Sequence, residues 1–261
     1  MAEFTELYAR AHWYDIALGR DVAREIAFVE QAFARLAGRP LASVLEIACG
    51  PGYHTRGFAR RGLAATGLDL MPEMVALARG LAEEEGLEAT WIAADMRDFR
   101  LAAPVDAILT MYDALDCLSE QDDVIAHFRN VAANLNPDGI YFLEFTHPHD
   151  TGFADYGSFA YEGERDGTRV VVEWATNGAA YHPLTMVAEV EVKMTVTENG
   201  ATRVFVDRAS ERMFTAPEIA ALARLSDGLE LVASYGDFDV TRPLDMAPAP
   251  RRMILVLRRT R

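Results

Sequence analysis

The residues best suited to chemistry begin with a carboxylate, Glu46, placed just ahead of a turn of small residues, Ala48-Cys49-Gly50-Pro51-Gly52. A second carboxylate, Asp69, follows further along the chain. Glycines in a turn let the backbone approach a ligand where a Cβ atom would block it. A carboxylate at the end of a strand can accept hydrogen bonds from the two hydroxyls of a ribose. Together these residues predict one half of a nucleotide-type pocket at the carboxyl ends of parallel strands.

Two apolar runs must position these groups. Val44, Leu45 and Ile47 lead into the turn, and a second apolar run ends in Asp69. The segment between them has a helical pattern. The order is therefore strand, tight glycine turn, helix and strand, with Asp69 at the tip of the second strand.

The spacing of the glycines separates two cofactor classes. The dinucleotide fingerprint G-x-G-x-x-G needs a third glycine for close helix–strand packing. Counting from Gly50 gives Gly52 and then Thr55, so the third glycine is missing. Thr55, together with Asp95 after the third predicted strand, argues against a nicotinamide-dependent oxidoreductase, which stays an alternative.

The run from Glu46 to Gly52 resembles the first motif of class I S-adenosylmethionine-dependent methyltransferases, in which an acidic residue opens an E/D-x-G-x-G-x-G pattern. Ala48 stands where the first glycine is usual, which is tolerable if Ala48 keeps a negative φ. The resemblance covers about 41–146 and 215–258. Within the family it is most similar to small-molecule N-methyltransferases, including those acting on amino sugars, through the runs C-G-x-G-x-H and A/G-D-M-R-D-F.

This resemblance implies S-adenosyl-L-methionine as the cofactor and assigns roles to residues. The glycine turn would cradle the methionine part, Asp69 would bind the ribose, Asp95 the adenine amino group, and the backbone of Met96 a ring nitrogen. Glu46 either holds the amino-acid part of the cofactor or braces the glycine loop. Leu70 and Met74 flank Asp69 and are expected to cover a purine face. The complete expected cofactor-binding set is Tyr14, Glu46, Ala48, Cys49, Gly50, Gly52, Asp69, Leu70, Met74, Asp95, Met96, Arg97 and Met111.

Methyl transfer from a sulfonium is an in-line displacement with an activated donor, so the protein mainly supplies position and an electrostatic setting. An amine acceptor must lose a proton first. His147, just past the fifth predicted strand, is the expected proton acceptor, with His149 and His54 as second choices. The alternative for His147 is a turn residue before Pro148.

The expected substrate contacts are Tyr14, Tyr112 and Asp113. Asp113 either pairs with a cationic or hydroxyl-bearing substrate or caps the following turn. Tyr14 belongs to an aromatic N-terminal segment that is either a lid over the site or a segment packed on the domain. No metal cluster or covalent nucleophile is evident, and Cys49 is expected to be a buried filler.

Composition sets limits on partners. The chain has 261 residues, 51% of them hydrophobic, and a formal net charge of −15. The excess of acidic residues argues against a nucleic-acid substrate, because binding to phosphates requires a surface rich in basic side chains. Two cysteines are too few for a disulfide framework, and no apolar run is long enough to span a membrane. We expect a soluble, cytoplasmic protein that acts on a small molecule, with a β insertion that covers the active site, makes a homodimer contact, or does both.

The expected fold class is α/β: a Rossmann-like, doubly wound, mostly parallel seven-stranded sheet with an antiparallel β insertion. The expected units are an N-terminal helical lid (1–40), a cofactor-binding core (41–150 and 214–261) and the insertion (151–213). Asp166-Gly167 and Asn199-Gly200 predict hairpin turns inside the insertion. Capping boxes at Ser119 and Thr215 predict two helix starts. A third hypothesis is a catalytically silent methyltransferase fold that only binds a ligand or partner.

Overall fold

A computed structural model gives the structure of the chain and describes residues 5–147, 156–245 and 252–260. The helices are α1 (Thr5–Ala9), α2 (Ala11–Leu18), α3 (Ala23–Ala37), α4 (Tyr53–Arg60), α5 (Pro72–Glu84), α6 (Gln121–Asn134) and α7 (Ala216–Leu225), with a 3₁₀ turn at Ala114–Cys117. The strands are β1 (Ser43–Ile47), β2 (Ala64–Asp69), β3 (Thr90–Ala93), β4 (Val105–Thr110), β5 (Leu135–Thr146), β6 (Phe159–Arg165), β7 (Thr168–Trp174), β8 (Val187–Glu198), β9 (Ala201–Arg212), β10 (Leu229–Tyr235) and β11 (Arg252–Arg259).

The main sheet has seven strands in the order β10-β11-β5-β4-β1-β2-β3. Strands β3, β2, β1, β4 and β5 run parallel, whereas β11 is antiparallel to both of its neighbours. This confirms the predicted fold class, a mostly parallel seven-stranded sheet with an antiparallel β insertion. Ile47 at the end of β1 pairs with Leu68 of β2 and Thr110 of β4, so the carboxyl ends of these strands meet at one edge.

Apolar side chains cover both faces of this sheet. On one face α6 and α7 pack on a core that includes Leu45, Ile108 and Tyr141. On the other face α3 contributes Phe33 to a core that includes Phe142. Burial on both faces explains why the central strands are near-continuous hydrophobic runs without a polar side.

The second sheet is an antiparallel meander in the order β6-β7-β8-β9. Its two tight hairpins turn at Asp166-Gly167, with φ of 50° and 77°, and at Asn199-Gly200, with φ of 51° and 77°. Two consecutive residues with positive φ match the right-handed twist of the flanking strands. Both predicted hairpins are therefore confirmed.

The N-terminal helices pack against the second sheet. Its inner face, with the fully buried Val190 and Met194, forms one apolar core with Ile16 and Leu18 of α2. A Cβ atom on Gly163 of β6 would lie 1.8 Å from the carbonyl oxygen of Ile16, so helix and strand are in direct backbone contact. Helices α1 and α2 and the β insertion thus share a core distinct from the two cores of the main sheet. We call this unit the cap.

Both predicted capping boxes are wrong in detail. Helix α6 begins at Gln121, and no side chain caps it, so Ser119 does not start the helix. Thr215 does occupy the N-cap of α7 but makes no side-chain cap bond. Glu218, the expected reciprocal partner, instead accepts a hydrogen bond from Arg212 at 2.6 Å. Arginine competes successfully because its bond to a carboxylate is charge-assisted. No helix within the described residues is long and apolar enough to cross a membrane.

Candidate functional site

The glycine turn after β1 runs through the left-handed region of backbone space. The φ values of Ala48, Gly50 and Gly52 are 53°, 51° and 75°. The expectation that Ala48 keeps a negative φ is wrong, because the turn imposes the same conformation there as at the glycines. This geometry points the Gly50 amide at Asp69, whose Oδ2 accepts its hydrogen bond at 2.8 Å.

Two glycines are required by close packing below this turn. A Cβ atom on Gly52 would lie 2.5 Å from the Trp91 ring, and one on Gly67 would lie 2.5 Å from the same ring. The Cys49 sulfur lies 3.0 Å from that same Gly67 Cβ position. Burial raises the pKa of the Cys49 thiol well above its usual value, so it stays protonated, as a packing residue would.

Glu46 is buried, and both of its carboxylate oxygens are engaged by α4. Oε2 accepts hydrogen bonds from the Thr55 amide at 2.8 Å and the Thr55 hydroxyl at 2.5 Å, while Oε1 lies 2.8 Å from His54 Nδ1. The other ring nitrogen of His54 lies 2.7 Å from Glu25 on α3. Of the two roles expected for Glu46, this geometry favours bracing of the glycine turn.

His54 is wrong as a second-choice proton acceptor for a substrate. Its burial lowers the pKa, but the charges of Glu46 and Glu25 and their hydrogen bonds outweigh that effect and raise the pKa to about 9. The ring is therefore an imidazolium held between two carboxylates, and both of its nitrogens are occupied.

Asp69 sits at the tip of β2 with its carboxylate held by backbone amides. Besides Gly50, the Met71 amide donates to Asp69 Oδ1 at 2.9 Å. Burial raises the pKa of Asp69, and these backbone hydrogen bonds oppose that shift. Leu70 is 60% exposed and open to a ligand, whereas Met74 is 1% exposed on the inner face of α5. Met74 therefore offers no open surface to a purine, because the amphipathic helix turns it into the core.

The third strand tip holds an ion-pair cluster. Arg97 contacts the Asp95 carboxylate at 2.6 Å and the Asp123 carboxylate at 2.9 Å. The hydrogen bonds from Arg97 lower the pKa of Asp95. The Met96 carbonyl accepts a hydrogen bond from His127 Nδ1 at 2.9 Å, which fixes the backbone at this tip.

A buried polar chain supports Met96 from below. His127 Nε2 lies 2.7 Å from the Tyr141 hydroxyl, which in turn lies 2.8 Å from the Thr110 hydroxyl. Burial lowers the pKa of His127 to about 4, so the ring is neutral and its Nδ1 carries the proton donated to Met96. This chain links the end of β4 to the loop after β3.

The cap reaches the glycine turn through Tyr14 and Asp15 on α2. A Cβ atom on Gly50 would lie 4.0 Å from the Tyr14 ring. Asp15 is buried and accepts hydrogen bonds from the Tyr53 hydroxyl at 2.7 Å and from Arg165 of β6 at 2.6 Å. The structure therefore brings Tyr14 to the predicted cofactor site while fastening α2 to both the core and the insertion.

Arg20 was missed by the sequence reasoning. Its guanidinium lies 3.8 Å from the centroid of the Tyr112 ring and 5.5 Å from that of the Tyr53 ring. Its Nε is buried and has no hydrogen-bond partner among the described residues. The only signal in the sequence is a basic residue directly after the aromatic N-terminal segment, which no motif singles out.

The tip of β4 adopts strained backbone. Met111 is buried there, and Tyr112 and Asp113 have φ values of 62° and 59°. The Tyr112 amide donates to Glu144 at 2.7 Å. Arg252 pairs with Asp113 at 2.6 Å and with Glu144 at 2.6 Å.

Asp113 therefore already has a cationic partner within the chain. Its carboxylate also accepts hydrogen bonds from the amide and hydroxyl of Thr146. The alternative role, capping the following turn, is not observed, since no side-chain cap bond forms there. His147 follows Thr146 and is 2% exposed. Its role as proton acceptor stays a prediction, and His149 lies outside the described residues.

Comparisons with known proteins place the chain among methyltransferases. A family model described as a methyltransferase domain matches residues 44–139. A dTDP-4-amino-2,3,4,6-tetradeoxy-D-glucose N,N-dimethyltransferase of Saccharopolyspora spinosa is 30% identical, over 84% of this chain and 86% of that protein. A dTDP-3-amino-3,6-dideoxy-alpha-D-glucopyranose N,N-dimethyltransferase of Streptomyces fradiae is 33% identical, over 54% of this chain and 52% of that protein. The match thus spans about half the length of this second relative.

Solved structures share the fold over most of the chain. An S-adenosylmethionine-dependent methyltransferase from Clostridium acetobutylicum superposes with a TM-score of 0.78 at 16% identity, covering 96% of this chain and 98% of that one. An amino pentose methyltransferase from Micromonospora echinaspora with bound S-adenosylmethionine gives a TM-score of 0.69 at 25% identity, covering 98% and 96%. At 16% identity, the similarity to the Clostridium acetobutylicum protein shows a shared fold and no more.

Proposed function

The chain belongs to the family of S-adenosylmethionine-dependent methyltransferases, and on that premise we propose that it transfers a methyl group to a nitrogen or oxygen of a small molecule. The single observation that carries the proposal is the hydrogen bond from Gly50 to Asp69. It joins a left-handed glycine turn after β1 to a carboxylate at the tip of β2. That arrangement presents backbone amides and a ribose acceptor side by side at the carboxyl edge of the sheet.

The residues around the turn fit the chemical parts of S-adenosyl-L-methionine. The cofactor's carboxylate needs a cationic partner, and Arg20 supplies a guanidinium. The Nε atom of Arg20 is buried and has no hydrogen-bond partner among the described residues. Asp69 would accept hydrogen bonds from the ribose hydroxyls, and the Met96 backbone would face the adenine. Tyr14 would cover the methionine part from the cap. When bound, the cofactor supplies a methyl group activated by its sulfonium.

Asp95 would accept a hydrogen bond from the adenine amino group while it keeps its ion pair with Arg97. Its carboxylate is already paired with Arg97 at 2.6 Å. The amino group would therefore share the carboxylate with the guanidinium instead of replacing it. Two oxygens with about four lone-pair sites leave room for both partners.

We place the acceptor between the cap, the tip of β4 and β5. In this position Tyr112, with φ of 62°, is held by Glu144 and lies against Arg20. The strained tip would be maintained because Glu144 and Arg252 fix it from β5 and β11. The protein's contribution to the reaction would be orientation and exclusion of water.

The two curated relatives named above favour an amino nitrogen on a sugar as the methyl acceptor. Both are named for N,N-dimethylation of a dTDP-linked amino sugar. We adopt dTDP-3-amino-3,6-dideoxyglucose as the amino sugar probe and the dTDP sugar with a hydroxyl in place of that amine as the hydroxyl probe.

The assay measures formation of S-adenosylhomocysteine and methylated product with each probe in turn, using a wider panel of amines and phenols alongside. Product that requires both S-adenosylmethionine and an acceptor supports the proposal. Tight binding of the cofactor with no turnover on any acceptor would instead support a catalytically silent binding protein.

Homodimerisation through the β insertion is a separate proposal. The supporting observation is that β9 is an edge strand whose outer face exposes Val204 and Val206, by 54% and 53%. Exposed apolar edge strands are ready to pair with another chain. Sedimentation velocity of the wild type and of a Val204→Lys, Val206→Lys variant tests it, since an unchanged mass would contradict it.

A further inference from the structure

One carboxylate at the end of the insertion lies among aromatic rings and forms no ion pair with the residues that the structure describes. Glu211 on β9 accepts hydrogen bonds from the Trp174 indole at 3.1 Å and from the Tyr156 hydroxyl. No cationic side chain within the described residues pairs with it. Two neutral donors hold the carboxylate in place without neutralising its charge.

A second carboxylate faces the same space from the 3₁₀ turn after β4. The Oδ1 atom of Asp116 is inaccessible and has no hydrogen-bond partner among the described residues. A buried acceptor without a partner is costly, so such an atom calls for a ligand or a proton. Burial raises the pKa of Asp116 well above its usual value, and the charges of Asp113 and Glu211 add to that rise.

Arg252 does not neutralise this pair. It is bound to Asp113 and to Glu144, each at 2.6 Å. Asp113 is thus a satisfied structural ion pair, whereas Asp116 and Glu211 have no cation in the described part of the chain. A cationic ligand would therefore supply the partner that these two carboxylates lack there.

Aromatic rings wall the space around Glu211. Trp174 stacks on Phe159 with a centroid distance of 5.9 Å, and Tyr156 lies 5.4 Å from Tyr181. The faces of such rings attract ammonium groups, and they do so most strongly when water is excluded. Carboxylates together with aromatic faces are chemically complementary to a protonated amine.

This space adjoins the predicted cofactor site. The centroid of the Tyr161 ring lies 6.0 Å from that of Trp174 and 6.0 Å from that of Tyr112 at the tip of β4. Arg212, next to Glu211 in sequence, donates to the Ser119 carbonyl at 2.9 Å and so fastens the end of β9 to the segment after the 3₁₀ turn.

We propose that Glu211 and Asp116 receive the acceptor's amine, with Glu211 taking its proton before methyl transfer. This inference rests on the proposed function and assigns to Glu211 the proton acceptance first expected of His147. The ammonium N–H bond breaks, its electron pair stays on nitrogen, and the proton goes to a Glu211 oxygen. The nitrogen lone pair then forms the new N–C bond, and the sulfur keeps the electron pair of the broken S–CH₃ bond. The proton leaves Glu211 for solvent when the cap opens.

Several titratable groups face this pair and will contribute to its pH dependence. They are Tyr8, Asp113, Cys117, Tyr156, Tyr181 and Arg252. A pH profile therefore has to be compared between variants, because a single profile cannot be assigned to one group.

The test compares Glu211→Gln and Asp116→Asn with Glu173→Gln and His147→Gln. Glu173 is a matched control because it lies beside Trp174 on β7 but pairs with Lys193 on the outer face. Initial rates with the amino sugar probe are measured from pH 6 to pH 9. Binding of S-adenosylhomocysteine and of both probes is measured by calorimetry.

We expect Glu211→Gln to lower kcat about 100-fold, the usual scale for a lost proton acceptor, and to change the acid limb of the pH profile. Affinity for S-adenosylhomocysteine should stay within about threefold in both site variants, which also shows that they fold. The preference of the wild type for the amino over the hydroxyl probe should shrink in Glu211→Gln and Asp116→Asn.

Two results would overturn the inference alone. One is wild-type protein that binds S-adenosylhomocysteine yet binds the amino probe no better than the hydroxyl probe. The other is a Glu211→Gln variant with the wild-type pH profile while His147→Gln loses activity. Wild-type protein that fails to bind S-adenosylhomocysteine would instead defeat the proposed function.

Discussion

At the scale of single residues, the backbone conformation of Ala48 is the most specific feature of the cofactor turn. It is an L-residue with a φ of 53° between a buried strand and two left-handed glycines. Such a conformation costs a non-glycine residue roughly 1–2 kcal/mol. The surrounding hydrogen bonds of Glu46 to α4 hold the turn in place despite that cost.

Replacing Ala48 with glycine should therefore raise the free energy of unfolding by up to about 1 kcal/mol, because relief of strain exceeds the extra entropy of the unfolded chain. Ala76→Gly on the exposed face of α5 is the matched control and should lower the free energy of unfolding by about 1 kcal/mol. Urea denaturation measures the free energy of unfolding of both variants. A loss of stability in Ala48→Gly equal to that in the control would show that Ala48 is not strained.

Asp69 is the residue on which cofactor affinity should depend most. Asp69→Ala removes the proposed ribose acceptor and frees the Gly50 amide. We expect its affinity for S-adenosylhomocysteine to fall at least tenfold, about 1.4 kcal/mol, as calorimetry would show. Glu73→Ala, an exposed carboxylate on α5, should bind like the wild type. Affinity of Asp69→Ala within about threefold of the wild type would remove the ribose role.

At the scale of elements, one buried imidazolium joins three of them. His54 on α4 lies between Glu25 of α3 and Glu46 of β1. Its pKa of about 9 in the folded protein exceeds the ordinary value near 6.5 of an unfolded chain. The proton is therefore bound more tightly in the folded state.

It follows that the stabilisation from His54 is complete below about pH 6.5 and is lost as the pH rises through about 9. His54→Gln should flatten this part of the dependence of unfolding free energy on pH. Chemical denaturation at a series of pH values tests this, with His12→Gln as an exposed control. Equal slopes between pH 6.5 and 9 in wild type and His54→Gln would contradict the assignment.

The contact between α2 and β6 makes the cap one unit. A methyl group at Gly163 would meet the Ile16 carbonyl oxygen at 1.8 Å, and no side-chain rotation can relieve this clash because the backbone fixes the positions of both atoms. Gly163→Ala should displace α2 and with it Tyr14, so it should weaken binding of S-adenosylhomocysteine as well as stability. Gly80→Ala, where a Cβ atom meets nothing within 4 Å, should be stabilising instead. Undiminished affinity in Gly163→Ala would show that the cap does not help to hold the cofactor.

The elements also show what a sequence can predict. The hairpins at Asp166-Gly167 and Asn199-Gly200 were predictable because two adjacent residues determine such a turn. The capping box at Thr215 was not, since Arg212 lies outside the local pattern and binds Glu218. The packing of α2 on β6 depends on residues far apart in the sequence, and no local periodicity encodes it.

At the scale of the whole molecule, the parallel sheet was predictable because each apolar run carried its own turn and helix signals. The number of strands and the doubly wound arrangement then followed from the family resemblance, whereas the order of the strands is seen only in the structure. Glu211 escaped prediction because its neighbours Trp174 and Tyr156 come from other parts of the insertion. Its chemistry appears only once the four-stranded sheet folds back over the tip of β4.

Calorimetric titration of the purified protein with S-adenosylhomocysteine, with NAD(H) as the control ligand, tests which cofactor the glycine turn and Asp69 hold. We predict binding of S-adenosylhomocysteine near the micromolar range and no heat of binding with NAD(H). Binding of NAD(H) alone would contradict it and would mean that the glycine turn and Asp69 serve a dinucleotide.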